Sequence, residues 1–364
     1  MRWTLKTAPN LSLVDELSEV LSIDKVLSSL LIQRGIHTFD QAKKFFRPSL
    51  DDLHDPFLLK DMDIAVSRIE KAIANNENIL IYGDYDVDGT TAVSLVSSYL
   101  KTITNHIATY IPDRYDEGYG ISTQGIDFAA DHDFSLIIAL DCGIKAIEKV
   151  NYASKKNIDF IICDHHKPGD KLPKAVAVLN AKREDCSYPF DELCGCGVGF
   201  KLIQALASKR GQTLEDLTQY LDLVATAIAA DIVPITGENR ILTYFGLQVI
   251  NSNPRNGIKA IIQGVKKNIL TITDVVFIIA PRINAAGRMK HGNYAVELLT
   301  EMDYETAISF AASIEKFNIE RKEIDKKITY EALQQIEAAD EKEKFSTVVY
   351  SEDWHKGVIG IVAS

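Results

Sequence analysis

Three aspartates at alternate positions follow a short apolar run and precede a glycine. The run spans residues 79–82, and the aspartates are Asp84, Asp86 and Asp88, with Gly89 next. A strand followed by alternating carboxylates places several anionic oxygens close together, and their mutual repulsion must be offset by a cation. The stretch therefore predicts one half of a metal site, with a helix opening at the glycine.

The other half should lie at the carboxyl ends of further parallel strands, because the loops from several strands meet there. Asp141 and Asp164-His165-His166 each end an apolar strand-like run, and Asp231 ends an apolar run of helical character. Taken alone, any one of these aspartates is explained more simply as a helix cap, and either histidine as a buried residue whose ring nitrogens are hydrogen-bonded. Several such ends at one sheet edge favour a metal centre.

The ligand types indicate which ion the site would take. Carboxylate and imidazole ligands together suit Mn²⁺, with Mg²⁺ as the hard alternative, whereas thiolates would indicate zinc. So many anionic ligands suggest two ions, and Asp141 is the natural candidate to bridge them. Two ions ~3.5–4 Å apart activate a water and stabilise the leaving oxygen in phosphoester hydrolysis.

Other cation and phosphate motifs fail on their spacing. The aspartate triplet and its glycine match the first six positions of a calcium EF-hand loop, but Leu95 stands where a bidentate glutamate is required. No Gly-Lys-Ser/Thr follows the strand, so a Walker P-loop is excluded. The Cys-Gly-Cys-Gly run at 194–197 lacks a second cysteine pair at zinc spacing, so it predicts a glycine turn before a helix that starts near 198.

The apolar pattern predicts an α/β fold that would position these residues. Strand-like runs alternate with helices of ~10–15 residues, which indicates a parallel β-sheet flanked by helices on both faces. After Asn180 the pattern turns mostly helical. We expect strands at 79–82, 106–111, 136–140, 160–163 and 175–179, and helices at about 89–99, 123–131, 146–155, 198–209, 214–230, 239–250 and 273–280.

Composition changes along the chain predict four segments. They are a helical N-terminal lead-in at 1–60, a catalytic α/β domain at 61–302, a long connecting helix at 303–343, and the beginning of a second α/β domain at 344–364. The connecting helix is expected because that stretch is rich in Glu, Lys, Ala and Ile without Pro or Gly. A strand is expected at 345–350, and we expect the chain to be truncated within this last domain.

Bulk composition bounds the class of protein. The 364 residues are 46% hydrophobic and 25% charged, as in an ordinary soluble globular chain. The start has no apolar signal core and no apolar run approaches the ~20 residues that cross a bilayer, so we expect a cytoplasmic protein with no membrane partner. The formal charge of −11 argues against binding nucleic acid by bulk charge alone. It leaves a nuclease open, because bound metal cations are not in that count.

Three arginines are the candidates for binding phosphate. Guanidinium forks fit phosphate oxygens and stay charged, and Arg114, Arg282 and Arg288 all lie in stretches that we expect to be loops, where functional residues concentrate. Asn284 is placed to orient one of them. Tyr119 is equally consistent with stacking on a base and with anchoring its own loop.

The four acidic and histidine motifs, in this order, resemble those of the DHH phosphoesterase superfamily. Within it, four further stretches resemble the branch of single-strand-specific 5′→3′ exonucleases. These stretches are Arg34-Gly35, PDRYDEGYG at 112–120, PRINAAGR at 281–288 and WHKGVIGIVAS at 354–364. The resemblance extends from about residue 20 to the last residue.

The resemblance implies a ligand set and a substrate site. It implies that two ions, Mn²⁺ or Mg²⁺, are held by Asp84, Asp86, Asp88, Asp141, His165 and Asp231. It also adds His355 and Ser364 as substrate-binding positions, although the arginine that follows this serine in the family is missing here. Two roles stay open for His166. One is to orient His165 without binding a metal itself, and the other is to contact the scissile phosphate or the leaving oxygen.

The activity that the resemblance implies is hydrolysis of single-stranded DNA from a free 5′ end, with release of 5′-mononucleotides, in DNA repair and recombination. Repair or single-strand-binding proteins are candidate partners. Two alternatives remain: a superfamily phosphoesterase for short oligonucleotides, cyclic dinucleotides or nucleoside bisphosphates, and a non-catalytic replication scaffold. The N-terminal lead-in and the stretch 282–288 fit the exonuclease better, and the presence of every expected metal ligand disfavours the scaffold.

Overall fold

The computed structural model describes residues 4–338 and 344–364. The chain forms two compact units, one ending at Leu53 and the other beginning at His54. The domain boundaries expected from the sequence at 60, 302 and 343 stay predictions. Of the described helices, none combines the length and apolar character that a membrane span requires.

The first unit is a set of three helices around a small apolar core. Thr38 and Gln41 form a reciprocal capping box at the start of the third helix. The helices are α1 (Leu11–Leu21), α2 (Lys25–Ile32) and α3 (Phe39–Phe46), followed by a 3₁₀ turn at Leu50–Asp52. Their shared core consists of Val14, Leu17, Leu31, Ile32, Ile36 and Ala42.

A five-stranded parallel sheet forms the centre of the second unit, which confirms the predicted fold class. The strands are β1 (Asn78–Gly83), β2 (Ile107–Tyr110), β3 (Phe134–Leu140), β4 (Asp159–Cys163) and β5 (Ala177–Leu179). They lie in the order β2-β1-β3-β4-β5. Because the chain leaves β1 for β2 on one side and then returns to β3 on the other, the loops after β1 and β3 diverge and open a crevice at the carboxyl edge.

The strand register places polar side chains at the same level of this edge. Gly83 pairs with Leu140, Leu140 with Cys163, and Cys163 with Leu179. The residue that follows each of these four strand ends is an aspartate or an asparagine. These residues are Asp84, Asp141, Asp164 and Asn180.

Helices cover both faces of the sheet. The helices of this unit are α4 (Met62–Ala74), α5 (Val87–Leu100), α6 (Thr123–Asp131), α7 (Ile147–Lys155), α8 (Gly195–Lys209), α9 (Leu214–Leu217), α10 (Leu221–Asp231), α11 (Gly237–Ser252), α12 (Asn256–Ile262), α13 (Ile272–Asp274), α14 (Ala280–Met289), α15 (Asn293–Thr300), α16 (Tyr304–Ala338) and α17 (Lys356–Val362). Helices α6 and α7 share one core with the sheet. Helices α4, α5 and α8 pack on the other side, and α10 packs against α5 and α8.

Helix α5 begins two residues before the start expected at Gly89. Asp86 is the reason, because its side chain accepts a hydrogen bond from the Gly89 amide and caps the helix. Asp88 therefore lies in the first turn of α5 rather than on extended chain. The prediction that the glycine opens the helix was wrong.

The stretch 282–288 is helical, which corrects the loop expected there. The helix expected at 273–280 continues through α14 as far as Met289. Pro281 lacks an amide hydrogen and would clash with the carbonyl four residues earlier in a regular α-helix. The π-helical turn Val275–Ile279 just before it widens the backbone, and the helix runs through.

Two further expectations need correction. Residues 345–350 form no strand: the described chain offers them no neighbouring strand, and the Tyr350 backbone instead exchanges two hydrogen bonds with the Gln335 side-chain amide. The single helix expected at 214–230 is divided, because a 3₁₀ turn at Thr218–Tyr220 separates α9 from α10. The last part of the expected connecting helix, residues 339–343, lies outside the described residues.

Candidate metal centre

The imidazole of His165 lies among three carboxylates. Its Nε2 atom is 3.2 Å from Asp141 Oδ1, 3.7 Å from Asp231 Oδ2 and 3.8 Å from Asp88 Oδ2. The three aspartates come from different elements: Asp141 follows β3, Asp231 ends α10, and Asp88 lies in the first turn of α5. The fold thus brings together four residues that the sequence predicted as metal ligands.

Several buried polar atoms of this cluster have no hydrogen-bond partner among the described residues. They are both carboxylate oxygens of Asp84, Oδ1 of Asp141 and both ring nitrogens of His165. Buried polar atoms are normally paired, and each unpaired one costs about 1–3 kcal/mol. A divalent cation is a partner that carboxylate oxygens and an imidazole nitrogen can share. The donor set therefore fits such an ion.

Burial and like charge disfavour the ionised carboxylates. Burial, and then the neighbouring charge of Asp86, raise the pKa of Asp84 to about 7. Burial, and then the charge of Asp88, raise the pKa of Asp141 well above its usual range. Burial also lowers the pKa of His165, which keeps its ring neutral and able to bind a metal. A bound cation would return the carboxylates to the ionised form.

The first turn of α8 holds Asp88 in place. The amides of Gly195 and Cys196 donate to Asp88 Oδ2 at 2.6 Å and to Oδ1 at 2.8 Å. These amides are among the donors that a helix start leaves unpaired. The Cys-Gly-Cys-Gly run, expected as a turn before a helix, is thus the start of α8 itself, with Cys194 as its N-cap.

Two close approaches in the cluster require glycine. A Cβ atom on Gly195 would lie 2.6 Å from Asp141 Oδ1, so the missing side chain lets α8 reach Asp88 and Asp141 together. A Cβ atom on Gly89 would collide with the Asp84 carbonyl oxygen. Asp141 itself has a φ of 59°, a left-handed conformation that aspartate tolerates better than most residues.

Asp164 holds His166 rather than offering itself as a ligand. Its Oδ1 accepts hydrogen bonds from the backbone amides of His165 and His166, and from His166 Nδ1 at 2.7 Å. Its Oδ2 accepts from the Ile144 amide. Because a carboxylate only accepts, Nδ1 of His166 donates. The His166 side chain is 44% exposed, and this geometry favours contact with a substrate over orientation of His165.

Two of the three predicted arginines lie together beside the acidic cluster. The Arg114 guanidinium lies 3.8 Å from the centroid of the Tyr85 ring. Burial lowers the pKa of Arg288, and the positive charges of Arg114 and Arg321 lower it further. Arg321, on α16, was not predicted as a site residue. Three guanidinium groups that repel one another indicate a site for an anion.

Arg282 is not part of this arginine cluster. Its Nε pairs with Glu315 on α16, and its Nη1 donates to the Ile278 carbonyl oxygen. Six residues of α-helix turn by about 240°, so Arg282 and Arg288 leave α14 on different sides. Asn284 lies one turn before Arg288, and in the described part of the chain its buried Oδ1 has no hydrogen-bond partner.

The two C-terminal candidates differ in their surroundings. His355 caps α17 by accepting from the Gly357 amide, and the Gly357 carbonyl accepts from Arg288 Nη1 at 2.8 Å. The start of α17 therefore lies beside the arginine cluster. Ser364 donates to the Ile361 carbonyl of its own turn.

Sequence reasoning missed several residues that hold the site. Gly195 was not predicted to act on Asp88, and Asn180 donates to the His166 carbonyl oxygen at 2.9 Å. A sequence signal exists for Asn180, because it follows β5 as Asp84 follows β1. No such signal marks Arg321, which lies inside a long charged helix.

Residues 78–228 match the DHH family, N-terminal domain. This stretch carries the parallel sheet and the Asp-His-His motif, and it is a DHH domain. The chain is similar to the single-stranded-DNA-specific exonuclease RecJ of Bacillus subtilis (strain 168), with 39% identity over 366 residues that cover 100% of this chain and 46% of that relative.

Two solved structures share the fold. RecJ from Thermus thermophilus in complex with Mn²⁺ matches with a TM-score of 0.86 and 26% identity, over 100% of this chain and 51% of that one. Exonuclease RecJ bound to manganese matches with a TM-score of 0.77 and 28% identity, over 86% of this chain and 78% of that one. The chain spans about half the length of the Bacillus relative.

The first prediction concerns the pH dependence of stability without metal. The folded-state pKa of Asp84, about 7, lies above the unfolded value of about 3.9, so the folded state binds more protons between these values. The free energy of unfolding of the metal-free protein should therefore fall as the pH rises through this window. Adding Mn²⁺ should restore it, with a larger rise in Tm at about pH 8 than at about pH 5.

Thermal unfolding with EDTA and with Mn²⁺ measures this effect. The Asp84→Asn variant is the control, because it removes one of the titrating groups and should flatten the metal-free profile. Metal-free stability that stays level or rises across the window would contradict the electrostatic description of the cluster.

The second prediction concerns Gly195. The Gly195→Ala variant should displace Asp141 or Asp88 and lower Mn²⁺ affinity about ten- to hundredfold, as loss of a ligand's support does. Titration calorimetry measures the affinity, and circular dichroism checks the fold. Gly264→Ala is the matched control, because a Cβ atom there meets nothing within 4 Å. Equal Mn²⁺ affinity in both variants would show that α8 does not position the ligands.

Proposed function

We propose that this chain is the catalytic part of a divalent-metal-dependent exonuclease that hydrolyses single-stranded DNA from a free 5′ end and releases 5′-mononucleotides. The observation that carries the proposal is the placement of His165 Nε2 within 4 Å of three aspartates. The arginine cluster beside it supplies a site for phosphate. The similarity to RecJ exonucleases supports the choice of DNA as the substrate.

The proposed ligands for two Mn²⁺ or Mg²⁺ ions are Asp84, Asp86, Asp88, Asp141, His165 and Asp231. Ligand atoms of Asp88, His165 and Asp231 lie within 4.8 Å of one another, and those of Asp141, His165 and His166 form a second such group. Asp141 is the proposed bridge, because its unpaired Oδ1 is the oxygen nearest to His165 Nε2. When bound, the ions would supply positive charge to the phosphate and lower the pKa of water.

The chain's own residues would hold the substrate. Arg114, Arg288 and Arg321 are proposed to bind backbone phosphates through their guanidinium forks. Arg321 replaces Arg282 in this role, because Arg282 Nε lies 2.5 Å from Glu315 Oε2, whereas the nearest carboxylate oxygen paired with Arg321, on Asp325, is 3.8 Å away. His166, held by Asp164, is proposed to contact the scissile phosphate or the leaving oxygen. Asn284, His355 and Ser364 stay predicted substrate contacts.

A role in repair and recombination, repair or single-strand-binding protein partners and a cytoplasmic location belong to the same proposal. The arginine cluster favours a substrate with more than one phosphate, because three guanidinium groups exceed what one phosphodiester needs. Short oligonucleotides, cyclic dinucleotides and nucleoside bisphosphates are the competing substrates. A scaffold without activity is the other competitor.

The third prediction tests this function through Asp141. Asp141→Asn keeps the size of the side chain and tolerates the left-handed backbone, so the fold should persist. Mn²⁺-dependent release of mononucleotides from a 5′-labelled single strand should fall by a factor of about 1000 or more, because a ligand carboxylate is lost. Asp133→Asn is the matched control, since Asp133 is exposed and also left-handed, with a φ of 56°.

A panel of substrates decides among the competing functions. The wild-type chain should degrade a long single strand in preference to a duplex and to a dinucleotide. Preference for the dinucleotide would favour the small-molecule phosphoesterase. Binding of Mn²⁺ with no hydrolysis of any substrate would favour the scaffold, and full activity in Asp141→Asn would overturn the metal assignment.

A further inference from the structure

We propose that the Tyr119 hydroxyl is a positioning group that fixes the imidazole ring of His166 for phosphodiester hydrolysis. The proposal rests on the function proposed above. It assigns a role to the hydroxyl rather than to the aromatic ring, which distinguishes it from stacking on a base. Tyr119 acts through His166 and needs no contact with the reacting atoms.

Hydrogen bonds at both nitrogens tether the His166 ring. Nδ1 lies 2.7 Å from Asp164 Oδ1, and Nε2 lies 3.3 Å from the Tyr119 hydroxyl oxygen. Since Nδ1 donates to the carboxylate, Nε2 of a neutral ring accepts from the Tyr119 hydroxyl, whereas Nε2–H of a protonated ring donates to the hydroxyl oxygen and can be shared with a phosphate oxygen of the substrate. A bond at Nδ1 alone leaves the ring free to tilt about that contact. A second bond at the far nitrogen removes that freedom.

The aromatic rings around Tyr119 meet edge to face rather than in stacks. The Tyr119 and His166 ring planes are 84° apart with centroids at 6.2 Å, and those of Tyr119 and Tyr85 are 80° apart at 6.1 Å. Tyr85 in turn lies under the Arg114 guanidinium. Tyr119 thus stands between the arginine cluster and the histidine motif.

The loop that presents Tyr119 is built to hold one conformation. Glu117 accepts hydrogen bonds from the Tyr110 hydroxyl, the Asp113 amide and the Ser122 hydroxyl. Gly118 and Gly120, on either side of Tyr119, have φ values of 85° and 80°, which favour glycine. The Gly120 carbonyl accepts from the buried Tyr82 hydroxyl at 2.8 Å. The position of the Tyr119 hydroxyl is therefore set by the loop and its anchors.

Asp164 and Tyr119, the two residues that hydrogen-bond the His166 ring, differ in their burial and in their roles. Asp164 is 1% exposed and is fixed by three backbone amides, so it gives His166 a rigid anchor. Tyr119 is 58% exposed, so a substrate can approach it from solvent. Removing the hydroxyl should loosen the catalytic ring without disturbing the anchor.

The test compares Tyr119→Phe with wild type in steady-state hydrolysis of a 5′-phosphorylated single strand with Mn²⁺. Loss of one hydrogen bond to the ring should lower kcat roughly three- to tenfold, with KM and Mn²⁺ affinity unchanged. Tyr152→Phe is the matched control, because its hydroxyl also donates to a side chain, Asp127 Oδ1 at 2.7 Å, but on helices α6 and α7 away from the site. It should behave as wild type.

A double-mutant cycle separates positioning from a general structural effect. In a His166→Ala background, Tyr119→Phe should lower kcat no further, because the group that it positions is gone. Equal additional losses with and without His166 would overturn the proposal. So would wild-type kcat in Tyr119→Phe, or an effect confined to KM, which is what loss of a base contact would produce.

The same cycle on a small substrate keeps this inference distinct from the proposed function. If wild type hydrolyses thymidine 5′-p-nitrophenyl phosphate but no DNA, the exonuclease proposal fails. The coupling between Tyr119 and His166 is then measured with the small substrate. The positioning role is supported if Tyr119→Phe lowers kcat in the wild-type background but not in the His166→Ala background. Absence of that coupling overturns it.

Discussion

The structure depends on a balance of charge at one edge of its sheet. Asp84, Asp88 and Asp141 are each at most 2% exposed and lie close to one another, where burial and mutual repulsion both oppose ionisation. Such a cluster is costly in a protein that has no cation to place there. Divalent ions that bind it would turn the repulsion into coordination. The neutral His165 ring, facing the carboxylates with unpaired nitrogens, is consistent with this role.

The fold concentrates the carboxylates by simple means. One register across four parallel strands brings the residues after their ends to the same level, and a crossover at β1 opens the crevice that receives them. Two helix starts complete the arrangement. Asp86 caps α5, and the first amides of α8 hold Asp88. Gly195 permits that approach, so a residue without a functional group determines where two ligands lie.

The sheet and its acidic edge could be predicted from the sequence, because apolar runs of strand length that end in aspartate indicate both the strands and the acidic residues that follow them. Asp84, Asp141 and His165 were predicted as metal ligands in this way. The sequence did not predict that Arg282 and Arg288 face different sides, because the helix expected at 273–280 continues past Pro281, which the π-helical turn before it permits. Arg321 could not be found at all. Its proposed role depends on how α16 packs against α14, which no local sequence pattern indicates.

Anomalous diffraction from crystals soaked in Mn²⁺ tests the central claim most directly, because it locates the ions without reference to activity. The charge balance described here predicts two peaks about 3.5–4 Å apart. They should lie between His165 Nε2 and the carboxylates of Asp84, Asp88, Asp141 and Asp231, with Asp141 touching both. Mn²⁺ bound elsewhere on the chain, with this cluster left without an ion, would contradict the account.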